Sequence, residues 1–209
     1  MDSARRNSVA IKKALLHLEA ADPALAALIA NIGPYRITYH APDFTTLARS
    51  ILSQQLSGKA ADTIFHRLLT AAEAPDGRLS PARLSALGPE GLRPLGLSRQ
   101  KAAALLHLAS HPIPYPQLPR LSDDEVIAIL TAVKGIGVWT AHMFLLFALR
   151  RPDVLPTGDL GIRNAIHRAY RLPAPPTPAE ILALAQPWRP YASFASWYLW
   201  RSLDGPGKL

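Results

Sequence analysis

The chain contains no cysteine among its 209 residues. Disulfides, thiolate nucleophiles, cysteine-type zinc sites and cysteine-ligated iron–sulfur clusters are therefore all excluded. Any chemistry must come from carboxylates, hydroxyls, imidazoles, lysines, or a metal held by oxygen and nitrogen. Long hydrophobic runs are missing too. Hydrophobic residues make up 49% of the chain, yet no stretch approaches the roughly 18 apolar residues that read as a membrane span. The opening Met1-Asp2-Ser3-Ala4-Arg5-Arg6 leads into an amphipathic stretch carrying Lys12, Lys13, His17 and Glu19, and lacks the apolar centre of a secretory signal. These absences predict a soluble, intracellular protein. Period-two alternation is also absent, so strands are not expected.

What charge there is carries mainly one sign. Lys and Arg number 23 against 15 Asp and Glu, a formal net charge of +8, with a pI near 10.1. A small basic protein associates with polyanions, nucleic acid first and anionic membrane surface second. The length allows one domain or two small packed subdomains. Apolar residues recur at helical spacing in Ile11, Leu15 and Leu18, in Leu47, Ile51 and Leu52, and in Val126, Ile129, Leu130 and Val133. Ser122-Asp-Asp-Glu125 and Thr177-Pro-Ala-Glu180 are capping boxes, and Ser80-Pro81 opens a further short helix. The 20 prolines concentrate at 112–119, 152–156 and 173–178, where they end helices instead of interrupting them. About ten short helices are predicted, with Gly205–Leu209 as a frayed end.

The most informative stretch runs from 122 to 171. A capped amphipathic helix reaches Val133, Lys134-Gly135-Ile136-Gly137 follows, and a second helix begins near Val138-Trp139-Thr140-Ala141. Gly135 and Gly137 permit a tight hairpin with positive φ, and Ile136 can plug between the helices. Backbone N–H groups at the mouth of the second helix, beside glycines with no side chain to block approach, form an anion cradle. The bland alternative is a glycine C-cap followed by a turn. Charge favours the cradle: residues 131–171 hold Lys134, Arg150, Arg151, Arg163, Arg168 and Arg171 against Asp153 and Asp159, half the net charge of the chain. Such a cradle suits a phosphodiester backbone and reads no base sequence.

Leu130-Thr-Ala-Val-Lys-Gly-Ile-Gly-Val-Trp-Thr-Ala141 resembles the helix-hairpin-helix of the DNA glycosylase superfamily in which the hairpin is followed by a catalytic aspartate. Three further segments agree in order. Leu155-Pro-Thr-Gly-Asp-Leu-Gly-Ile-Arg163 is similar to its aspartate segment, Ile51-Leu-Ser-Gln-Gln-Leu-Ser57 to its early Gln-Gln helix, and Pro187-Trp-Arg-Pro-Tyr-Ala-Ser-Phe-Ala-Ser-Trp-Tyr-Leu-Trp200 to the closing helix of its 3-methyladenine glycosylase II branch. Together they cover about 43–203, and four motifs in order are far more specific than any one. The resemblance implies an all-α fold of two packed helical subdomains, one of about 1–42 with 157–209 and one of about 43–156 containing the hairpin at 122–150. A base-binding cleft is expected between them, and the N-terminal β domain of some relatives is expected to be absent.

Asp159 lies 22 residues past Gly137, after Gly158 and before the apolar set Ile162, Ile166 and Ala169, so it stands at a helix start. It can act as an N-cap there, and a carboxylate fixed by helix-end N–H groups stays ionised near neutral pH. The resemblance makes it the catalytic aspartate as well. By the same resemblance Trp139, Met143 and Tyr191 line the base pocket, with Met143 where some relatives have an aromatic residue. Lys134, Gly135, Ile136, Gly137 and Thr140 bind the DNA backbone, and Gln55 is the wedge that fills the gap left by the flipped base. Arg163, one turn after Asp159, suits either a phosphate contact or an ion pair that anchors its helix, and the structural role is the one expected. Trp139 stands where the strand-nicking members carry lysine, and the missing cysteines exclude the iron–sulfur branch. The expected activity is therefore that of a monofunctional glycosylase that flips out alkylated bases and hydrolyses the N-glycosidic bond, leaving an abasic site. Its partner is damaged double-stranded DNA of any sequence, and the protein acts as a monomer inside the cell, with the DNA. No metal is expected on side chains and no cofactor, beyond a monovalent cation that the resemblance places at the hairpin backbone carbonyls. Two rivals are a non-catalytic helix-hairpin-helix DNA-binding module and a bifunctional glycosylase/lyase using another lysine.

His107 and His111 have metal-ligand spacing without an evident third ligand and read as surface or helix-end residues. Arg99 and Lys101, at a helix start, read equally as phosphate contacts or solvated charges. Trp197, Tyr198 and Trp200 read as core, apart from whichever faces the pocket.

Overall fold

The computed structural model describes residues 2–204, with side chains from Ser8 onward, so Gly205–Leu209 lies outside the described residues. Among the described residues there are eleven α-helices, three short 3-10 turns and no strand. No helix among them is long and apolar enough to cross a membrane. The chain divides into two compact units, one formed by Tyr39–Leu149 and the other by the segments on either side of it.

The central unit holds α3 (Phe44–Ser53), α4 (Gly58–Ala71), α5 (Pro81–Leu92), α6 (Arg99–Ser110), α7 (Asp123–Thr131) and α8 (Val138–Phe147). Leu47, Ile51 and Leu52 of α3, Leu105 of α6, Val126 and Leu130 of α7, and Val133 after it are fully buried, as their spacing requires. Ser57, Ser80, Ser98 and Ser122 cap four of these helices by accepting a bond from a backbone N–H three residues on. One proline departs from the expected pattern. Pro89 lies inside α5, and the helix breaks at Gly88, whose φ of 59° no helical residue adopts. The glycine supplies the reversal that lets a proline follow without clashing with the preceding turn.

The flanking unit holds α1 (Asp2–Ala21), α2 (Pro23–Ile32), α9 (Leu160–Ala169), α10 (Pro178–Leu184) and α11 (Ala192–Arg201). Its core gathers Leu18, Leu25, Ile162, Ile166, Ile181, Trp188 and Tyr198, all fully buried. Asp22 organises the junction of these distant pieces. One carboxylate oxygen caps α2 through the N–H groups of Ala24 and Leu25, and the other accepts from the Tyr170 hydroxyl and, at 2.8 Å, from Trp188 Nε1. A buried carboxylate is tolerable because four donors replace its water. The Tyr198 hydroxyl donates to Gly33 O at 2.9 Å, and burial pushes its pKa up to about 12. The second boundary falls at Arg150, ahead of the expected 157, because the segment after it is fastened to α11: Ser193 Oγ donates to Arg151 O at 2.6 Å and accepts from Val154 N–H at 2.8 Å.

Both capping boxes form, on α7 and α10. The Ser122 hydroxyl and N–H hold the Glu125 carboxylate below its ordinary pKa of 4.5, and the Thr177 N–H and hydroxyl do the same for Glu180. A carboxylate whose pKa is depressed on folding adds stability above its unfolded pKa and loses it as pH falls through the folded value. The double variant Glu125→Gln/Glu180→Gln should therefore melt below the parent at pH 7, with the gap closing below about pH 4. Thermal melts across that range check it.

Candidate functional site

The hairpin between α7 and α8 is built on one glycine with positive φ. Gly135 has φ of 92°, and a Cβ added to it would lie 2.6 Å from Ala104 Cβ on α6. Both the dihedral and the space require glycine there. The expectation of positive φ at Gly137 is corrected. Its φ is −93° and ψ 172°, extended backbone, and it serves as the residue before α8. Two consecutive reversals are unnecessary, because the turn is closed by Ile136 N–H donating to Val133 O at 3.0 Å. Ile136 is 4% exposed and plugs the hairpin as expected. No side chain caps the start of α8, where Val138 is exposed and Trp139 is 48% exposed. The first N–H groups of α8 and the exposed Lys134 lie at this hairpin, a favourable arrangement for an anion.

Two side chains from elsewhere in the central unit bond to the hairpin. Gln54 Nε2 donates to Gly135 O at 2.9 Å and to Thr140 Oγ1 at 3.4 Å. His107 Nδ1 accepts the Lys134 N–H at 3.1 Å, so it supports the turn and is more than a helix-end residue. Its ring stacks on His111 at 5.8 Å between centroids. Thr140, expected to contact the DNA backbone, is 3% exposed with its hydroxyl engaged by Gln54, so its side chain braces the hairpin from within. Lys101 is likewise drawn away from a phosphate role. Its Nζ donates to Leu52 O at 2.6 Å and Gln54 O at 2.5 Å, the carbonyl end of α3, and burial lowers its pKa. Gln55 follows at once, exposed and with φ of 57°, beside the exposed Leu56. Met143 is half-buried one turn after Trp139 on α8.

In the flanking unit Asp159 caps α9, as its context predicts. Its Oδ1 accepts from Ile162 N–H at 2.8 Å and from Trp200 Nε1 at 2.9 Å. The half-buried Trp200 is thus the aromatic of the closing helix that turns to Asp159, while Trp197 and Tyr198 are core. Its indole N–H adds to the charge-assisted bonds that fix one carboxylate oxygen. Gly161 gives them room: a Cβ there would lie 3.0 Å from Asp159 Oδ1 and 3.1 Å from Trp200 Cδ1. Arg163 anchors α9 as expected but by another bond, its Nε donating to Pro176 O at 3.0 Å where an ion pair was expected. The carbonyl lies in the proline-rich connection, which can hold it rigidly. Tyr191 precedes α11, half-buried, with its ring edge-on to His17 at 5.2 Å. The start of α11 is held by Asp153, which accepts from Ala192 N–H at 3.2 Å and pairs with Arg189 at 2.8 Å.

A fixed, ionised carboxylate stabilises a developing positive charge, and an amide-lined helix start stabilises a phosphate. Residues 48–190 match the HhH-GPD superfamily of base excision DNA repair proteins. Among curated proteins the chain is similar to DNA-3-methyladenine glycosylase 1 of Schizosaccharomyces pombe, 35% identical over 201 residues, 92% of this chain and 87% of that one. A solved structure of the S. pombe 3-methyladenine DNA glycosylase in complex with abasic DNA matches with a TM-score of 0.81, covering 92% of this chain and 97% of that one at 35% identity. A crystal structure of a DNA-3-methyladenine glycosidase from Bacillus halodurans also matches at 0.81, with 31% identity over 90% and 88% of the two chains. A carboxylate fixed beyond a glycine-hinged hairpin, matched along most of the sequence, places this chain in the HhH-GPD superfamily of base excision DNA repair proteins.

Proposed function

We propose that the protein is a monofunctional DNA glycosylase that removes alkylated bases of the 3-methyladenine type from double-stranded DNA and leaves an abasic site. The observation that carries this reading is the Asp159 carboxylate, oriented at the start of α9 by the Ile162 and Trp200 N–H groups. Breaking the bond between C1′ and the base sends the bonding electrons to the base and leaves positive charge on the sugar. A carboxylate held beside C1′ stabilises that state and orients the water that adds to it. An alkylated purine already carries positive charge and leaves readily, so a strong general acid is not needed. Trp139 and Tyr191 supply electron-rich ring surface and Met143 a polarisable thioether for such a cation. The base must first leave the stack, which costs a few kcal/mol and least at damaged pairs, and Gln55 takes its place.

The hairpin residues Lys134, Gly135, Ile136 and Gly137 bind the phosphate backbone, which makes association independent of base sequence. A monovalent cation at the hairpin carbonyls belongs to the same reading, since carbonyl oxygens suit a hard cation. The Gly135 carbonyl, which accepts from Gln54, keeps a second lone pair for it. The protein acts as a monomer wherever the DNA is.

The test is release of free base from methylated duplex DNA, followed by strand analysis. Free 3-methyladenine or 7-methylguanine should appear with strands that break only after alkali, and borohydride should trap no protein–DNA adduct. Intact DNA would support the hairpin-only module, and a trapped adduct the lyase. Trp200→Phe keeps an aromatic ring, though a smaller one, and deletes the N–H that orients Asp159, so base release should fall about 10-fold while the melting temperature holds within a few degrees. Single-turnover release rates beside thermal melts check it.

A further inference from the structure

One face of α6 touches both parts of the central unit to which the proposed function gives a role on DNA. Lys101, Ala104 and His107 recur every three residues along it. Lys101 Nζ donates to the Leu52 and Gln54 carbonyls at 2.6 and 2.5 Å. Ala104 Cβ is the atom against which Gly135 is seated. His107 Nδ1 accepts the Lys134 N–H at 3.1 Å. Gln54 closes the circuit, because its backbone carbonyl is held by Lys101 while its side-chain amide donates to Gly135 O at 2.9 Å. The turn bearing Gln55 and the hairpin are thus tied to each other directly and to one rigid helix in common.

Lys101 is the joint on which the turn depends. The last carbonyls of a helix have no intrahelical partner and carry partial negative charge, and an ammonium ion satisfies two of them at once. The next residue, Gln55, has φ of 57°, a conformation that residues other than glycine adopt only when their surroundings hold them in it. We infer that Lys101 is a positioning residue for base extrusion, holding the Gln54–Gln55 turn in register with the hairpin so that backbone binding and wedge insertion occur at a fixed spacing. This rests on Gln55 being the wedge and adds what sets its position.

The experiment uses a duplex with a single abasic-site analogue flanked by 2-aminopurine, whose fluorescence rises when its neighbour is unstacked, together with base release from methylated duplex and affinity for undamaged duplex. Lys101→Met should bind undamaged duplex within about twofold of the parent, because the hairpin keeps its other supports, and should lose about 10-fold in both the opening signal and single-turnover release. Lys101→Arg, which can still donate to two carbonyls, should recover most of the loss. Gln54→Leu leaves the Lys101 contacts and cuts the amide link to the hairpin, so if Lys101→Met does not fold it should lose the opening signal and release even at saturating protein. Asp159→Asn should open DNA normally and release nothing. If Gln55→Gly impairs opening while folded Lys101→Met, or Gln54→Leu where Lys101→Met does not fold, opens DNA like the parent, the positioning role is overturned and the wedge stands. If Gln55→Gly opens DNA like the parent, the wedge reading fails and the positioning role falls with it.

Discussion

Asp159→Asn is expected to fold normally, to bind DNA at least as well as the parent, and to lose base release by about 10³-fold. Asparagine is nearly as good an N-cap as aspartate. Its carbonyl oxygen can accept the same two bonds, from Ile162 N–H and Trp200 Nε1, that Asp159 Oδ1 accepts at 2.8 and 2.9 Å. The local structure of α9 is therefore preserved and only the negative charge is lost. A neutral amide gives little to the positive sugar of the transition state and orients water poorly, whereas removing a negative charge near phosphates cannot weaken association. Single-turnover release from methylated duplex measures the loss, and melting and binding serve as controls. Release at the parental rate in Asp159→Asn would remove the carboxylate from the mechanism.

Gly135→Ala should be the most damaging small change in the central unit. Alanine at φ of 92° is strained, and its methyl would sit 2.6 Å from Ala104 Cβ. Strain and overpacking together amount to roughly 2–4 kcal/mol. Relief by opening the hairpin would pull Gly135 O from Gln54 and the Lys134 N–H from His107, so affinity for undamaged duplex should fall about 10-fold or more as the backbone contacts lose their geometry. Ala104→Gly in the same protein removes the steric part and leaves the dihedral part. The double variant should recover part of the stability and binding, and no recovery would mean that the contact with α6 contributes nothing.

Local features were legible in the sequence, and features that depend on distant residues were not. The capping boxes at Ser122 and Thr177, the cap at Asp159 and the buried faces of α3 and α7 follow from residues within a few positions of one another, and the structure has them. The family followed from four motifs in order. Trp200 was missed as the partner of Asp159 because the two stand 41 residues apart, and a tryptophan in an apolar helix gives no sign of where its N–H points. Gln54 and Gly135 are 81 apart, so the glutamine next to the proposed wedge gave no hint that it braces the hairpin. Lys101 read as a surface charge because its two acceptors are backbone carbonyls, which no side-chain pattern marks. The burial of the Thr140 side chain was hidden in the same way, because its hydroxyl is bonded by a residue 86 positions away.

The division of the chain also orders its own assembly. The central unit is continuous in sequence, whereas the flanking unit joins the segments on either side of it through bonds spanning 148, 166 and 165 residues at Asp22–Tyr170, Asp22–Trp188 and Gly33–Tyr198. Contacts of such separation form late, and during synthesis they must wait for the C-terminal helices to emerge. The hairpin, whose supports lie within Tyr39–Leu149, can thus form on a nascent chain before the setting of Asp159, which needs Trp200, exists. The bonds that brace the hairpin thus form before those that orient Asp159.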